Sequence, residues 1–188
     1  MKARLAEKRL RQFVESIGAV LSRHQLHKIF DLEHPEAFAA TLKRLVAAGT
    51  LQSVTRGIYH VPDVVPWTGY ELERTAALLR YGEFNYVSLE SALSQCGAIS
   101  QQMVDYVTVM TTGRSGLFKT FFGCIEFTHT KRPLSALFEA TVVVSGRPLR
   151  VARPLAALRD LKRVGRNVNM VDLEDLDDIV CMKTGHYR

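Results

Sequence analysis

Apolar residues recur with helical spacing over the first fifty positions and with strand spacing after position 106. From Lys2 to Ile17, residues Ala6, Leu10, Phe13, Val14 and Ile17 share one helical face, while Arg4, Lys8, Arg11 and Glu15 lie opposite. Gly18 ends this helix. Ser22-Arg23-His24-Gln25 has capping-box form and opens a second helix with Leu26, Ile29 and Phe30 inside. Pro35 suits the first turn of a third, whose inner positions are Phe38, Leu42, Leu45 and Val46 and which Gly49 stops. The period then shortens to two. Residues 51–55 and 58–61 flank Arg56-Gly57, a tight turn with glycine where φ is positive.

Two prolines, Pro62 and Pro66, block helix and interior strand, so residues 63–69 read as a linker that Trp67 can pin to either neighbour. Thr68-Gly69-Tyr70-Glu71 is a second capping box, opening a helix through Leu72, Ala76 and Leu79 towards Gly82. Ser88 caps a short helix that ends near Gly97. Strands are predicted over 106–111, 120–130, 138–144 and 149–152, divided by turns at 113–116, 131–133 and 145–148. Phe118, Phe121, Phe122 and Phe127 fit a sheet core better than a base-stacking platform. A last helix runs from Pro154 towards Arg166, with Pro154, Ala157, Leu158, Leu161 and Val164 on one side. The expected architecture is α+β: a winged helix-turn-helix over 1–62, a linker over 63–69 and a mixed α/β domain over 70–188.

Charge changes this picture by where it falls. The net charge is +6. Residues 1–62 carry ten Lys/Arg against five Asp/Glu, and residues 131–166 carry nine against two. The stretches between and after them are acidic. Two basic zones call for acidic partners, most simply nucleic acid. In the first, Lys43, Arg44 and Arg56 are the best placed to meet DNA, with Arg23 and His24 beside them. In the second, Arg159, Lys162, Arg163 and Arg166 form a stripe at i, i+3, i+4, i+7 that fits DNA, a protein partner or plain solvent.

Several classes are disfavoured. No run approaches the roughly 18 apolar residues of a membrane span, and the charged N-terminus lacks a signal peptide's apolar core. Cys96, Cys124 and Cys181 are an odd set without a C-x-x-C pair, which speaks against a disulfide framework or zinc knuckle and for a reduced cytoplasm. His24 and His27 lack a third metal ligand at suitable spacing. Gly113-Arg114-Ser115-Gly116 lacks the Lys-Ser/Thr of a phosphate-binding loop. Asp175 and Asp177 have the spacing to share Mg²⁺, but 167–170 offers no Gly-Ser phosphate cradle. Asp105 and Glu126 are carboxylates near strands, yet Glu126-Phe127-Thr128 lacks the lysine of a restriction-type nuclease. The expectation is therefore no enzyme, metal or cofactor.

Longer stretches carry a family likeness. Leu42-Lys43-Arg44-Leu45-Val46-Ala47-Ala48-Gly49-Thr50-Leu51, continued by Val54-Thr55-Arg56-Gly57-Ile58-Tyr59, resembles the N-terminal winged helix of AbiEi-type antitoxins. Residues 86–93, 111–116, 127–132 and 152–161 resemble the C-terminal part, so the likeness covers nearly the whole chain. It implies a bacterial antitoxin of abortive-infection, phage-defence type, paired with an AbiEii-like nucleotidyltransferase toxin. In that family the winged helix binds inverted repeats in the operon's own promoter and represses it. The C-terminal domain is antitoxic without a stable toxin complex being required. The residues themselves leave open a winged-helix regulator or adaptor unrelated to a toxin, and a nucleic-acid-processing enzyme carried to DNA.

Overall fold

Local signals set the first helices. The computed structural model describes residues 3–31, 34–100, 104–166 and 168–173. By compactness the chain divides into one unit of Met1–Leu79 with Thr120–Phe122, and another of Arg80–Lys119 with Gly123–Arg188.

In the first unit, α1 (Ala3–Ile17) is followed by a short strand, β1 (Val20–Ser22), and by α2 (Arg23–Phe30). The capping box is formed: the Ser22 amide donates to Gln25 Oε1 at 2.8 Å and the Gln25 amide donates to Ser22 Oγ at 3.2 Å. Pro35 starts α3 (Pro35–Ala47). β2 (Gln52–Thr55) and β3 (Ile58–His60) form the hairpin, and β1 adds to β3 in antiparallel register, giving the order β1-β3-β2. Gly57 has φ +79° in the turn, where a side chain would be strained. The core joins Ala6, Leu10 and Val14 of α1 to Leu26, Ile29 and Phe30 of α2 and to Phe38, Leu42 and Leu45 of α3. Two expected core positions face outward. Phe13 is 45% and Val46 37% exposed, and Thr41 takes the buried place on α3.

The expected linker is folded onto this core. Val64 and Val65 pack against it, and the Trp67 ring lies 5.4 Å from His60 and 5.5 Å from Phe122. The helix after it, α4 (Glu71–Leu79), stays with the first unit: Leu78 and Leu79 cover Val20, Val54 and Ile58. The Arg74 guanidinium donates to the Ile17 carbonyl at the end of α1. Thr68 and Glu71 bond as expected, the Thr68 amide donating to Glu71 Oε1 at 2.7 Å.

The second unit is a sheet of six strands, β4 (Asn85–Val87), β5 (Tyr106–Thr111), β6 (Gly116–Thr120), β7 (Gly123–His129), β8 (Thr141–Val142) and β9 (Arg150–Ala152). Their order is β6-β7-β5-β4-β9-β8. β5 runs parallel to β7 and β4 parallel to β9, while β4–β5 and β8–β9 are antiparallel. The helices are α5 (Leu89–Gln95), α6 (Leu134–Ala140) and α7 (Pro154–Val164). α5 packs against β5 and α7, and α6 against β8.

Two expected strands are corrected. Thr120 ends β6 and β7 begins at Gly123, which has φ +129° and where a Cβ would lie 2.1 Å from the Asp105 carbonyl oxygen. The span 138–144 begins as helix: Pro133 precedes α6, whose Leu137 and Ala140 are buried, and only at Thr141 does the β-branched run turn to strand. Of the four phenylalanines assigned to a sheet core, Phe127 alone is buried; Phe118 and Phe122 are half-buried and Phe121 exposed. Among the described residues no helix is long and apolar enough to cross a membrane.

Candidate nucleic-acid interface

In the first unit Arg23, His24 and Arg56 lie at the start of α2 and the hairpin turn. The Arg23 amide donates to the Gly57 carbonyl at 2.7 Å, fixing the N-terminus of α2 beside Arg56. That end of the helix carries a partial positive charge, although its Arg23 and Gln25 amides are already bonded to the Gly57 carbonyl and Ser22 Oγ. The Arg23 guanidinium rests 5.2 Å from the Phe38 ring centre, and His27 meets the same ring edge-on at 4.8 Å. Arg23, His24, Lys43, Arg44 and Arg56 are all exposed. Arg44 is tied back along its own helix, Nη2 donating to Thr41 Oγ1 at 3.3 Å. Lys43 belongs to the outer side of α3 with Glu36, Ala40 and Ala47, opposite Phe38, Thr41, Leu42 and Leu45.

Arg9 and Arg74 of this unit serve the fold. Arg9 Nη1 donates to the Phe30 carbonyl at 2.9 Å and closes the C-terminus of α2. Burial lowers the Arg74 guanidinium below its ordinary value. Burial also lowers His60, against the raising influence of Glu71 and Asp63, and its Nδ1 has no hydrogen-bond partner among the described residues.

The second basic zone looks different once its side chains are followed. Arg150 Nε donates to Thr141 Oγ1 at 2.8 Å and its Nη2 to the Thr141 carbonyl at 3.0 Å. Arg153 Nε donates to the Glu139 carbonyl at 3.2 Å. These two arginines satisfy carbonyls at the end of α6 that lack helical partners. Arg147 reaches Gln95 Oε1 at 2.8 Å.

Two of the remaining cations, Arg132 and Arg166, lie on acids. Asp160, on α7, is fully buried. Its Oδ2 accepts from Tyr86 Oη and Ser88 Oγ, each at 2.9 Å, and Arg132 Nη1 lies 3.1 Å from Oδ1 as a charge pair not aligned as a hydrogen bond. Ser88 thus turns its hydroxyl to Asp160 and makes no side-chain cap on α5. Burial, then the charge of Asp160 and the bond to it, raise the Tyr86 hydroxyl far above its ordinary value. Thr108 continues the network, donating to the Ser88 carbonyl at 2.6 Å and accepting from the Ser91 amide at 3.1 Å.

Arg166 is the second centre. Its Nη1 and Nη2 bond both oxygens of Glu126 at 2.7 and 2.9 Å, and its Nε lies 3.3 Å from Glu90. Tyr106 Oη donates to Glu126 Oε2 at 2.5 Å. Burial and the Glu126 bond push the Tyr106 hydroxyl up to about 12. For Glu126, burial alone would raise the carboxyl; the bonds from Arg166 and Tyr106 outweigh it and leave it below its ordinary value. The bond to Glu126 raises Arg166 in turn.

The expected stripe on α7 is therefore divided. Arg166 is half-buried on its acids, and Arg163 donates to Thr130 Oγ1 at 3.1 Å. Arg159 and Lys162 face solvent. Spacing does not single out Asp160, because its partners Tyr86 and Ser88 stand 74 and 72 residues away. Among the described residues no group of three or more His, Cys, Asp or Glu is placed to hold a metal ion. Asp175, Asp177 and Cys181 lie outside the described residues. No model of a known protein family matches the chain, and no curated protein matches it.

Proposed function

We propose that the protein is a DNA-binding antitoxin whose first unit is a winged helix-turn-helix. It represses its own promoter and counters an AbiEii-like nucleotidyltransferase toxin without requiring a stable complex. What supports the DNA-binding part is one arrangement: helix, strand, two helices and hairpin in that order, with the first strand added to the hairpin. Arg23 and Arg56 stand together at one end of it, and Lys43 lies on the outer side of α3. α3 enters the major groove in this reading, and the hairpin turn lies over the adjacent backbone. Support for the toxin–antitoxin part comes from the sequence likeness spread over both units.

Two assays test the two parts. Co-expression with the neighbouring gene addresses the second: that gene alone arrests growth, and this chain relieves the arrest. No toxicity, or no relief, refutes the antitoxin reading. Binding of the upstream duplex addresses the first, with affinity falling steeply between 50 and 200 mM salt as counterions are released, on the order of 10³-fold for six or more phosphates. No duplex binding at low salt refutes it.

A further inference from the structure

Two turns at one end of the second unit's sheet are bonded to each other. In the first, before β4, the Glu83 amide donates to the Arg80 carbonyl at 3.1 Å. The second follows β5. Its Thr112 amide donates to the Phe84 carbonyl at 3.1 Å and its Thr112 hydroxyl to Glu83 Oε2 at 2.6 Å. The Arg80 guanidinium rests on the Phe118 and Phe127 rings, 5.0 and 4.8 Å from their centres, and donates twice to the Arg114 carbonyl, at 3.1 and 3.0 Å. Thr111 Oγ1 accepts from the Gly113 amide at 3.0 Å, and the His129 amide donates to Ser115 Oγ at 2.8 Å. His129 Nδ1 lies 2.7 Å from the Gly113 carbonyl, which only accepts, so Nδ1 carries the proton. Surface turns are ordinarily mobile; this one is held at Gly113, Arg114 and Ser115 by Arg80, Thr111 and His129.

What these bonds hold out is an aromatic ring and cations that the fold does not engage. Tyr81, at the tip of the first turn, is 89% exposed. Arg114, at the tip of the second, is exposed, and its side chain makes no bond among the described residues. Lys131, just past the end of β7, is exposed as well. Glu83 is the acid beside them, and its carboxylate already accepts from Thr112. We infer that this end of the second unit binds a single-stranded nucleic acid. The open face of Tyr81 stacks on an unpaired base, a face that the bases of a duplex do not offer, and Arg114 and Lys131 meet the phosphates. Holding the Arg114 turn in place beforehand lowers the ordering cost of binding. Neither turn carries an aliphatic side chain to fill the apolar centre of a protein interface. RNA and DNA strands share the chemistry required. The surface lies within the second unit and is independent of duplex binding by the first.

The test is fluorescence anisotropy of labelled single strands about ten nucleotides long, RNA and DNA of one mixed sequence, with the full-length protein. Wild type is expected to bind at low salt. Tyr81→Ala weakens binding by about tenfold, while Tyr81→Phe, which keeps the ring, stays within about twofold of wild type. Arg114→Ala weakens binding, and Lys131→Ala lowers the slope of log affinity against log salt by about 0.7, the value for one phosphate of a single strand. Arg23→Ala with Arg56→Ala leaves single-strand affinity unchanged. This pattern with either strand supports the inference, and the tighter strand identifies the ligand. No binding of either strand at low salt overturns it, as does full affinity in both Tyr81→Ala and Arg114→Ala. A loss in the Arg23 and Arg56 pair instead overturns it too, by placing the strand on the first unit. So does polyglutamate that displaces the strand as well as an unlabelled oligonucleotide of equal charge, which would make this a surface for acidic protein. Circular dichroism checks each fold, and if one of the Tyr81 and Arg114 variants fails to fold, the other decides.

Discussion

The two basic zones carry similar surplus charge and use it in opposite ways. In residues 131–166 most arginines are bonded to acids, carbonyls or hydroxyls of their own unit, while Arg159 and Lys162 face solvent. Arg132 meets buried Asp160, Arg166 clamps Glu126, and Arg150 and Arg153 satisfy the last carbonyls of α6. In residues 1–62, Arg23, His24, Lys43 and Arg56 stay at the surface, Arg23 and His24 at a helix N-terminus beside the hairpin turn of Arg56 and Lys43 on the outer side of α3. Net charge alone treats the zones as equals, since it counts the cation and not its partner. A guanidinium with several N–H donors is suited to either task, and what decides between them is the supply of acids and orphan carbonyls nearby.

The comparison breaks most readily at Asp160. Asp160→Ala removes a fully buried acceptor and leaves Arg132 and two hydroxyls without it, so urea denaturation is expected to show a loss of about 3–5 kcal/mol; a loss below about 1 kcal/mol would show the network to be incidental. Arg166→Ala deletes a bidentate clamp that is 29% exposed, and solvent screening reduces its expected cost to about 1–2 kcal/mol in the same assay. Arg56→Ala reverses the pattern: stability changes by less than about 0.5 kcal/mol, while affinity for every duplex falls in a gel-shift titration. A stability loss as large as that of Arg166→Ala would place Arg56 among the structural arginines.

The smallest expected effects concern pH. His60 is held below its ordinary 6.5, so the unfolded chain takes up a proton first. Its contribution to the first unit is present above 6.5 and is lost as pH falls below that value. Tyr106 is raised from 10.0 to about 12, so its contribution to the second unit is present below pH 10 and is lost between 10 and 12. Glu126, held below 4.5, adds a loss in acid beneath that value. Thermal melts of Tyr106→Phe are expected to lack part of the alkaline decline, and those of His60→Gln part of the decline below 6.5; unchanged profiles would contradict both assignments.

Legibility follows the range of the interactions. Ser22 with Gln25, Pro35 and Arg56-Gly57 act within a few residues, so the elements they start or turn are readable in order. β1 has three residues and exists because Val20–Ser22 meets a strand about 40 positions later. α6 is hidden by the β-branched run that follows it, where the helix-to-strand change falls at Thr141. The boundary over 63–69 reads as a linker because its prolines are local, whereas the packing of Val64, Val65 and Trp67 is tertiary. On α7 a stripe of cations is visible in the spacing, but whether each one faces water depends on Glu90, Glu126 and Thr130, far away in sequence.

The central claim is that DNA is held by the exposed cations of the first unit and not by those of α7. It is tested by the slope of log affinity against log salt for the upstream duplex. The slopes of the wild type, Arg23→Ala with Arg56→Ala, and Arg159→Ala with Lys162→Ala are to be compared. The first pair is expected to lower the slope by about 2, at roughly 0.9 for each phosphate that is no longer neutralised, and the second pair to leave it unchanged. An unchanged slope in the first pair with a drop of about 2 in the second would contradict the account.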